Sequence, residues 1–428
     1  MGESTEVTTT YRPTQTARTA RRTSRAATRL SAMFHGVDVV LLLTVFGLCV
    51  FGLLMVNSSS WKFSLQYYGS TDAMFQRQIV WFVVGVVAMV ITVLVDYHLV
   101  MKLSVYAWFT VLAMLAFVAL GLGATILGAN RTLMGGSIQP SEFAKLIIIV
   151  YLSYWLYSKQ DKLDQLSFGL IPLGCIEALT GGLIFLQPDI SAALTVFLLS
   201  NLLFFLAGGK FRQIIPTATV AVAAIVFFIM ITGLGRGRLD MYIAGLQSPA
   251  NASDQVKRSI EAITRGGFFG IGIGQSETKF TGLPVPPTDS IYAVIVEETG
   301  LLGASFVVML YMLFLWRGLL IAKRAQDMPG KLMAAGITFW VVTEAVINMG
   351  AMSNLLPFAG NALPFISYGG SSLLSVMTGT GILIGIGRRA ELEKQPSEGR
   401  PTGAVVDLRR RDGRRGVSRI VRPTGPRR

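Results

Sequence analysis

The chain has 428 residues, 52% hydrophobic and only 14% charged, and its mean hydropathy is +0.56. Those proportions exclude an ordinary soluble enzyme and a disordered polymer, and they define an integral membrane protein. The formal charge of +14 would suit a nucleic-acid binder, but the basic residues crowd the two ends, so no nucleic-acid partner is expected and they read as contacts to anionic lipid.

Residues 1–34 carry Arg12, Arg18, Arg21, Arg22, Arg25 and Arg29 among Thr, Ala and Ser, a composition expected to be a disordered tail. A membrane domain follows over 35–390, with apolar stretches at 38–56, 78–95, 103–121, 141–157, 168–186, 190–207, 213–232, 290–315, 332–353 and 369–387. Each approaches the length that crosses roughly 30 Å of hydrocarbon, so the expected fold is all-α, with about ten transmembrane helices. One long loop, 233–289, expected on the extracytoplasmic side, separates the seventh stretch from the eighth, and residues 391–428 are expected to form a second disordered basic tail. An even number of spans puts both tails on one side, and the basic residues at 208–212 and 317–331 make that side cytoplasmic. The first apolar run is a full span that should persist as an anchor.

Cys49 and Cys175 lie inside apolar stretches and offer neither a disulfide framework nor a metal-ligand spacing. The two histidines, His35 and His98, fall near cytoplasmic helix ends, so acid–base chemistry on the outer face must use carboxylates or lysine. In the long loop, "RGGFFGIGIGQ" places Gly270, Gly272 and Gly274 in a near-dinucleotide pattern. It lacks a preceding strand, and the glycines read instead as a tight backbone path.

Charges inside spans ask for partners or a function. Glu142 and Lys145 in "QPSEFAKL" are three apart, share a helix face and can pair. Lys145, or Arg131 in "GANRTLMGG", is alternatively a cation for an anionic substrate group. Glu344 and Asn348 in "TEAVINMG" are four apart and define one polar face, read as a helix-packing network, while Glu177 and Asp189 read as lone structural acids. In "LPVPPTDSIYAVIVEETG", residues 283–300, Pro286 and Pro287 stiffen the approach, Thr288 is a candidate cap, and Asp289 is expected in the first turn of the helix that follows. Glu297 and Glu298 lie about two turns on, roughly 12 Å along the axis, and read as structural.

"GANRTLMGGSIQPSEFAK", "LQPDISAAL", "LPVPPTDSIYAVIVEETG" and "LPFISYGGSSLLS", in this order, resemble the SEDS family (shape, elongation, division and sporulation) of FtsW and RodA over about residues 35–390. The resemblance implies a peptidoglycan glycosyltransferase, an inverting lipid II polymerase on the outer face of the bacterial cytoplasmic (inner) membrane. Its substrates would be lipid II and undecaprenyl-linked glycan, with undecaprenyl pyrophosphate as leaving group. Its partners would be a class B penicillin-binding protein and other divisome or elongasome membrane proteins. The resemblance carries the family's proposed catalytic aspartate onto Asp289, beside Thr288, and its intramembrane salt bridge onto Glu142 and Lys145. Val285, Pro287 and Ser290 stand where the family usually has Glu, His and Phe, and Thr132 where it has Trp, so contacts to the acceptor should differ.

On this reading Asp289 is the general base, Arg131, Lys145 and Thr288 contact substrate, and the departing pyrophosphate needs positive charge. A divalent cation, Mg2+ or Mn2+, is a candidate cofactor for that charge. "LPFISYGGSS" and the long basic tails point to the division branch. Two other classes use the same features: a flippase for the lipid-linked precursor, and a non-catalytic scaffold that recruits the penicillin-binding protein.

Overall fold

The computed structural model describes residues 36–126, 129–133, 137–232, 234–358 and 360–394; the N-terminal tail, and the C-terminal one beyond 394, lie outside the described residues. Helices cover all the anticipated apolar stretches: α1 (Val39–Tyr68), α2 (Ala73–Leu94), α3 (Tyr97–Phe117), α4 (Pro140–Ser158), α5 (Ile171–Phe185), α6 (Ile190–Leu206), α7 (Phe211–Thr232), then α11 (Ile291–Arg324), α12 (Met328–Met352) and α13 (Gly370–Lys394). Among the described residues seven helices are long and apolar enough to cross a membrane: α1, α2, α3 extended to Leu122, α5 with its lead-in from Leu166, α11, α12 and α13. α6 is apolar but has only 17 residues.

Several of these helices start on an aspartate whose side chain satisfies a free amide of the first turn. Asp38 accepts from Leu41 N at 3.0 Å, Asp96 from His98 N at 2.9 Å, Asp189 from Ala192 N at 3.3 Å and Asp327 from Gly330 N at 3.1 Å. Three of the four also tie helices together at one end of the bundle. Asp38 pairs with Arg317 at 2.5 Å, Asp327 accepts from His98 at 2.8 Å, and Arg389 pairs with Asp96. α12 runs through the middle, with Trp340, Val341 and Ile337 fully buried, whereas α2 lies at the rim and exposes Val80, Val83, Val87 and Ile91. In a bundle of this hydropathy such exposed aliphatic rows face lipid, so helix packing rests on close fit and internal polar contacts.

Two features depart from the expectations. The stretch 233–289 is not an open loop but carries α8 (Leu234–Gln247), α9 (Asp254–Gly266) and a single turn, α10 (Thr278–Thr281). α9 is polar on average, which hides it from a hydropathy scan. Its buried residues, Val256, Ser259, Ala262 and Gly266, nevertheless recur every three to four positions, while Arg258 and Arg265 pair with Glu261 on the outer face. The second departure, among the described residues, is a small antiparallel strand pair, β1 (Ala124–Ile126) with β2 (Ala129–Thr132), in which the backbone of Thr125 pairs with that of Asn130.

Candidate active site

Segments far apart in sequence meet at the end of the bundle opposite Asp38. The loop 283–290, which leads into α11, is fastened at almost every residue. Tyr368 N donates to Pro287 O at 2.8 Å, Ser367 Oγ to Thr288 O at 2.7 Å, and Asn348 Nδ2 to Asp289 O at 2.9 Å. Ser290 Oγ donates to Pro284 O at 2.8 Å and accepts from Gln255 on α9 at 2.7 Å. Two residues of this region sit in the left-handed region, Val285 (φ 44) and Phe365 (φ 67), a conformation that a β-branched or bulky residue keeps only when its surroundings hold it there. The backbone around Asp289 is therefore set by tertiary contacts from α12 and from the loop before α13.

That arrangement corrects the anticipated helix start. Ser290 is the cap position and α11 begins at Ile291, so Asp289 lies just before the helix, not in its first turn. The Thr288 hydroxyl lies 3.3 Å from Val285 O and also within reach of the Asp289 carboxyl, and it is not at the cap position of α11. Asp289 is enclosed by protein atoms while keeping an edge open to solvent. Its carboxyl is pushed up to about 6, first by burial and further by the neighbouring Asp189 carboxylate, against the opposing pull of the Arg131 guanidinium and the Thr288 hydroxyl.

Arg131 reaches this place from β2. Its Nε donates to Gln187 O at 3.0 Å and its Nη2 to Pro188 O at 2.5 Å, which fixes the guanidinium beside the start of α6. Asp189, read from sequence as a lone structural acid, is a hub: it accepts from Gln139 Nε2 at 3.0 Å, Ser141 Oγ at 3.1 Å and Ser191 Oγ at 3.2 Å. Gln139 N in turn donates to Ser371 Oγ at 3.3 Å, which brings α13 to the same point. Asp189, Gln139 and Ser371 all lie within the quoted motifs, but their convergence has no signature in spacing along the chain.

Glu142 and Lys145 pair at 2.8 Å on α4, and Lys145 also pairs with Glu344 on α12. Glu344 and Asn348 thus serve different partners and do not form one network. Glu344 holds Lys145, while Asn348, one turn or about 6 Å along the axis, holds Asp289 O and Asn361 O. Lys145 is enclosed and carries two carboxylates, so among the cations considered Arg131, which stays partly exposed, is the one beside Asp289. Glu297 and Glu298 are fully buried in a separate cluster: Glu297 accepts from Ser276 and Thr278, and Glu298 from Ser58 and Lys279. Among the described residues no three His, Cys, Asp or Glu side chains are grouped to hold a metal ion.

A bundle of membrane-length helices that closes over a carboxylate and a fixed guanidinium at one end defines a multi-pass membrane protein with a polar site at its mouth. The chain belongs to the FtsW/RodA/SpoVE family, whose model, described as a cell cycle protein, matches residues 39–392. Similar proteins include the probable peptidoglycan glycosyltransferase FtsW of Trichlorobacter lovleyi, 36% identical over 352 residues, covering 82% of this chain and 92% of that protein. Stage V sporulation protein E of Bacillus subtilis is 31% identical over 359 residues, 82% of this chain and 97% of that one. Among solved structures, a chain of a peptidoglycan synthase complex described as coordinating polymerization and crosslinking matches with a TM-score of 0.67 at 22% identity, over 83% of this chain and 98% of its own. The rod shape determining protein RodA of Thermus thermophilus matches with a TM-score of 0.60 at 22% identity, over 83% of this chain and 97% of its own. At these identities the structural likeness is one of fold.

Proposed function

We propose that this protein is a division-type peptidoglycan glycosyltransferase that polymerises lipid II at the outer face of the bacterial cytoplasmic membrane, crossing it ten times with both tails in the cytoplasm. A class B penicillin-binding protein, as partner, would cross-link the product alongside other divisome membrane proteins. The observation that carries this reading is Asp289, a carboxylate with a raised pKa at the bundle's mouth, on a backbone pinned by Asn348, Ser367 and Tyr368 and next to a fixed cation.

A general base works best when its pKa lies near the operating pH, and about 6 is nearer than the usual aspartate range. Asp289 accepts the proton of the acceptor sugar's 4-hydroxyl as that oxygen bonds to the donor's anomeric carbon. The bond from that carbon to undecaprenyl pyrophosphate breaks in the same displacement, inverting the centre. Both reactants carry lipid tails, so a site at the membrane boundary holds them in one plane and reduces the entropy lost on meeting. Arg131 supplies fixed positive charge for the departing pyrophosphate; its two carbonyl partners keep it in place before substrate arrives. A divalent cation, Mg2+ or Mn2+, would have to be held by Asp289 together with the substrate's own pyrophosphate, because Asp189 already accepts from Gln139, Ser141, Ser191 and Ala192 N and the described residues group no three His, Cys, Asp or Glu side chains. It would neutralise leaving-group charge there.

The test is the purified full chain in lipid vesicles with labelled lipid II, read as polymer on a gel. Polymer from the parent and none from Asp289→Asn supports the reading. A parent that makes no polymer but moves lipid II between leaflets would replace it with the flippase.

A further inference from the structure

α11 is broken. Gly300 has φ 67 and ψ −167 inside it, so the helix cannot use its own ladder there. The backbone groups set free are taken up by "GGFFGIG", residues 266–272, running alongside. Ile271 N donates to Glu297 O at 3.0 Å and Gly272 N to Glu298 O at 3.0 Å, while Leu301 N donates to Gly267 O at 3.0 Å and Leu302 N to Phe268 O at 3.3 Å. The two backbones touch, and a Cβ on Gly270 would stand 2.3 Å from Glu298 O, one on Gly300 2.3 Å from Gly270 N. The far end of the segment is tied down by Lys279, whose Nζ donates to Gly274 O at 2.9 Å, Ser58 Oγ at 3.1 Å and Glu298 Oε1 at 2.8 Å.

With its backbone engaged in this way, the segment turns apolar side chains outward: Phe268 is 55% exposed and Phe269 77%, flanked by exposed Ile271 and Ile273 and, on α11, Leu301 and Leu302. The patch continues into the exposed row Phe306, Met309 and Met312 of the same spanning helix, the row that faces lipid. Its depth can be scaled from two links. Asp38 and Arg317 are bonded at one end of the bundle. The twenty positions from Asp38 to Ser58 on α1 rise about 30 Å, the thickness of the hydrocarbon core. Ser58 donates to Glu298 at 2.6 Å, so with the charged Asp38–Arg317 pair taken as the near edge, Glu298 falls at the far one. Leu302, fifteen positions before Arg317 on the continuous part of α11, lies about 22 Å from it, inside that edge.

We propose that residues 267–273 are a re-entrant element that inserts Phe268, Phe269 and Ile273 among the acyl chains of the leaflet at the site's end of the bundle, against the broken helix. Irregular backbone survives at hydrocarbon depth only when its polar groups are satisfied by protein, and here the break in α11 satisfies them. The occupant of the patch is the lipid tail region, not water and not a second polypeptide.

The test uses the full chain with Cys49→Ala and Cys175→Ala, reconstituted in phosphatidylethanolamine–phosphatidylglycerol vesicles. A nitroxide is placed at Phe269→Cys, and separately at Leu302→Cys and at the exposed Glu277→Cys, and collision rates with oxygen and with a nickel chelate are compared. The oxygen-to-nickel ratio at Phe269→Cys should match that at Leu302→Cys and exceed that at Glu277→Cys severalfold. Ile273→Cys provides the same reading if Phe269→Cys does not fold. A ratio equal to that at Glu277→Cys would place the segment in water, and low collision rates with both reagents would place it against another protein; either result overturns the proposal.

Discussion

Asn348 on α12 holds the backbone carbonyl of Asp289 at 2.9 Å and that of Asn361 at 2.6 Å. One amide thus sets the distance between the loop that bears the carboxylate and the loop that leads to α13. Asn348→Leu keeps the size but leaves both carbonyls without this donor, a loss on the scale of 1–3 kcal/mol. The variant should fold less stably and polymerise roughly tenfold or more slowly through misplacement of the base. The effect should fall mainly on kcat, with the pH profile keeping its acid limb, which steady-state kinetics over pH will check.

Asp289→Asn preserves shape and removes the proposed proton acceptor. Polymer formation should drop by about two or more orders of magnitude, the scale of a lost general base, with membrane insertion and partner capture unchanged. Pull-down of the penicillin-binding protein beside the gel assay separates a chemical defect from a folding one.

The same residue sets a pH dependence. In its proposed role as base Asp289 must be ionised, so activity should be full above its raised pKa of about 6 and lost as pH falls through it. Asp189→Asn removes a like charge and should move the acid limb to lower pH. Arg131→Gln removes an opposite charge and should move it to higher pH. The sign for stability is opposite to that of a paired carboxylate. Asp289 ionises less readily folded than unfolded, so its charge subtracts stability above about pH 6, and that penalty disappears below about pH 4. Asp289→Asn should therefore raise the thermal midpoint at pH 8 more than at pH 4.

Lys145 sits between Glu142 and Glu344 in a buried setting. Lys145→Met leaves two carboxylates with no cation and should cost about 3–5 kcal/mol, read as lost yield or a lowered unfolding midpoint. Glu142→Gln leaves Lys145 paired with Glu344 and should be milder. Lys145→Met with Glu344→Gln should regain part of the loss; a double variant no better than Lys145→Met alone would reject mutual neutralisation as the reason the pair exists.

Gly300→Val meets two obstacles, a positive φ and a Cβ within 2.3 Å of Gly270 N. Gly274 also has a positive φ, 87°, but open space around its Cβ position. Gly274→Asn should be tolerated, since Asn accepts that conformation at modest cost. Gly300→Val should disrupt folding, and protease resistance in vesicles will rank the two.

Much of this molecule follows from local sequence. Long apolar runs can satisfy their backbone in hydrocarbon only as helices, so the helical stretches and the all-α class are legible without coordinates. A three-residue spacing puts Glu142 and Lys145 on one face of a helix, so that pairing is legible too. What tertiary structure alone decided is which distant groups meet. Asp189 stands beside Asp289 because α6 and the loop before α11 end at the same mouth, and Glu344 completes the Lys145 pair because α12 crosses α4 there. The hairpin that delivers Arg131 and the amphipathic α9 are short or polar, below what hydropathy registers. The break at Gly300 is invisible in composition, because a single glycine in a helix is tolerated; only the segment 267–272 lying against it makes the broken ladder the stable one.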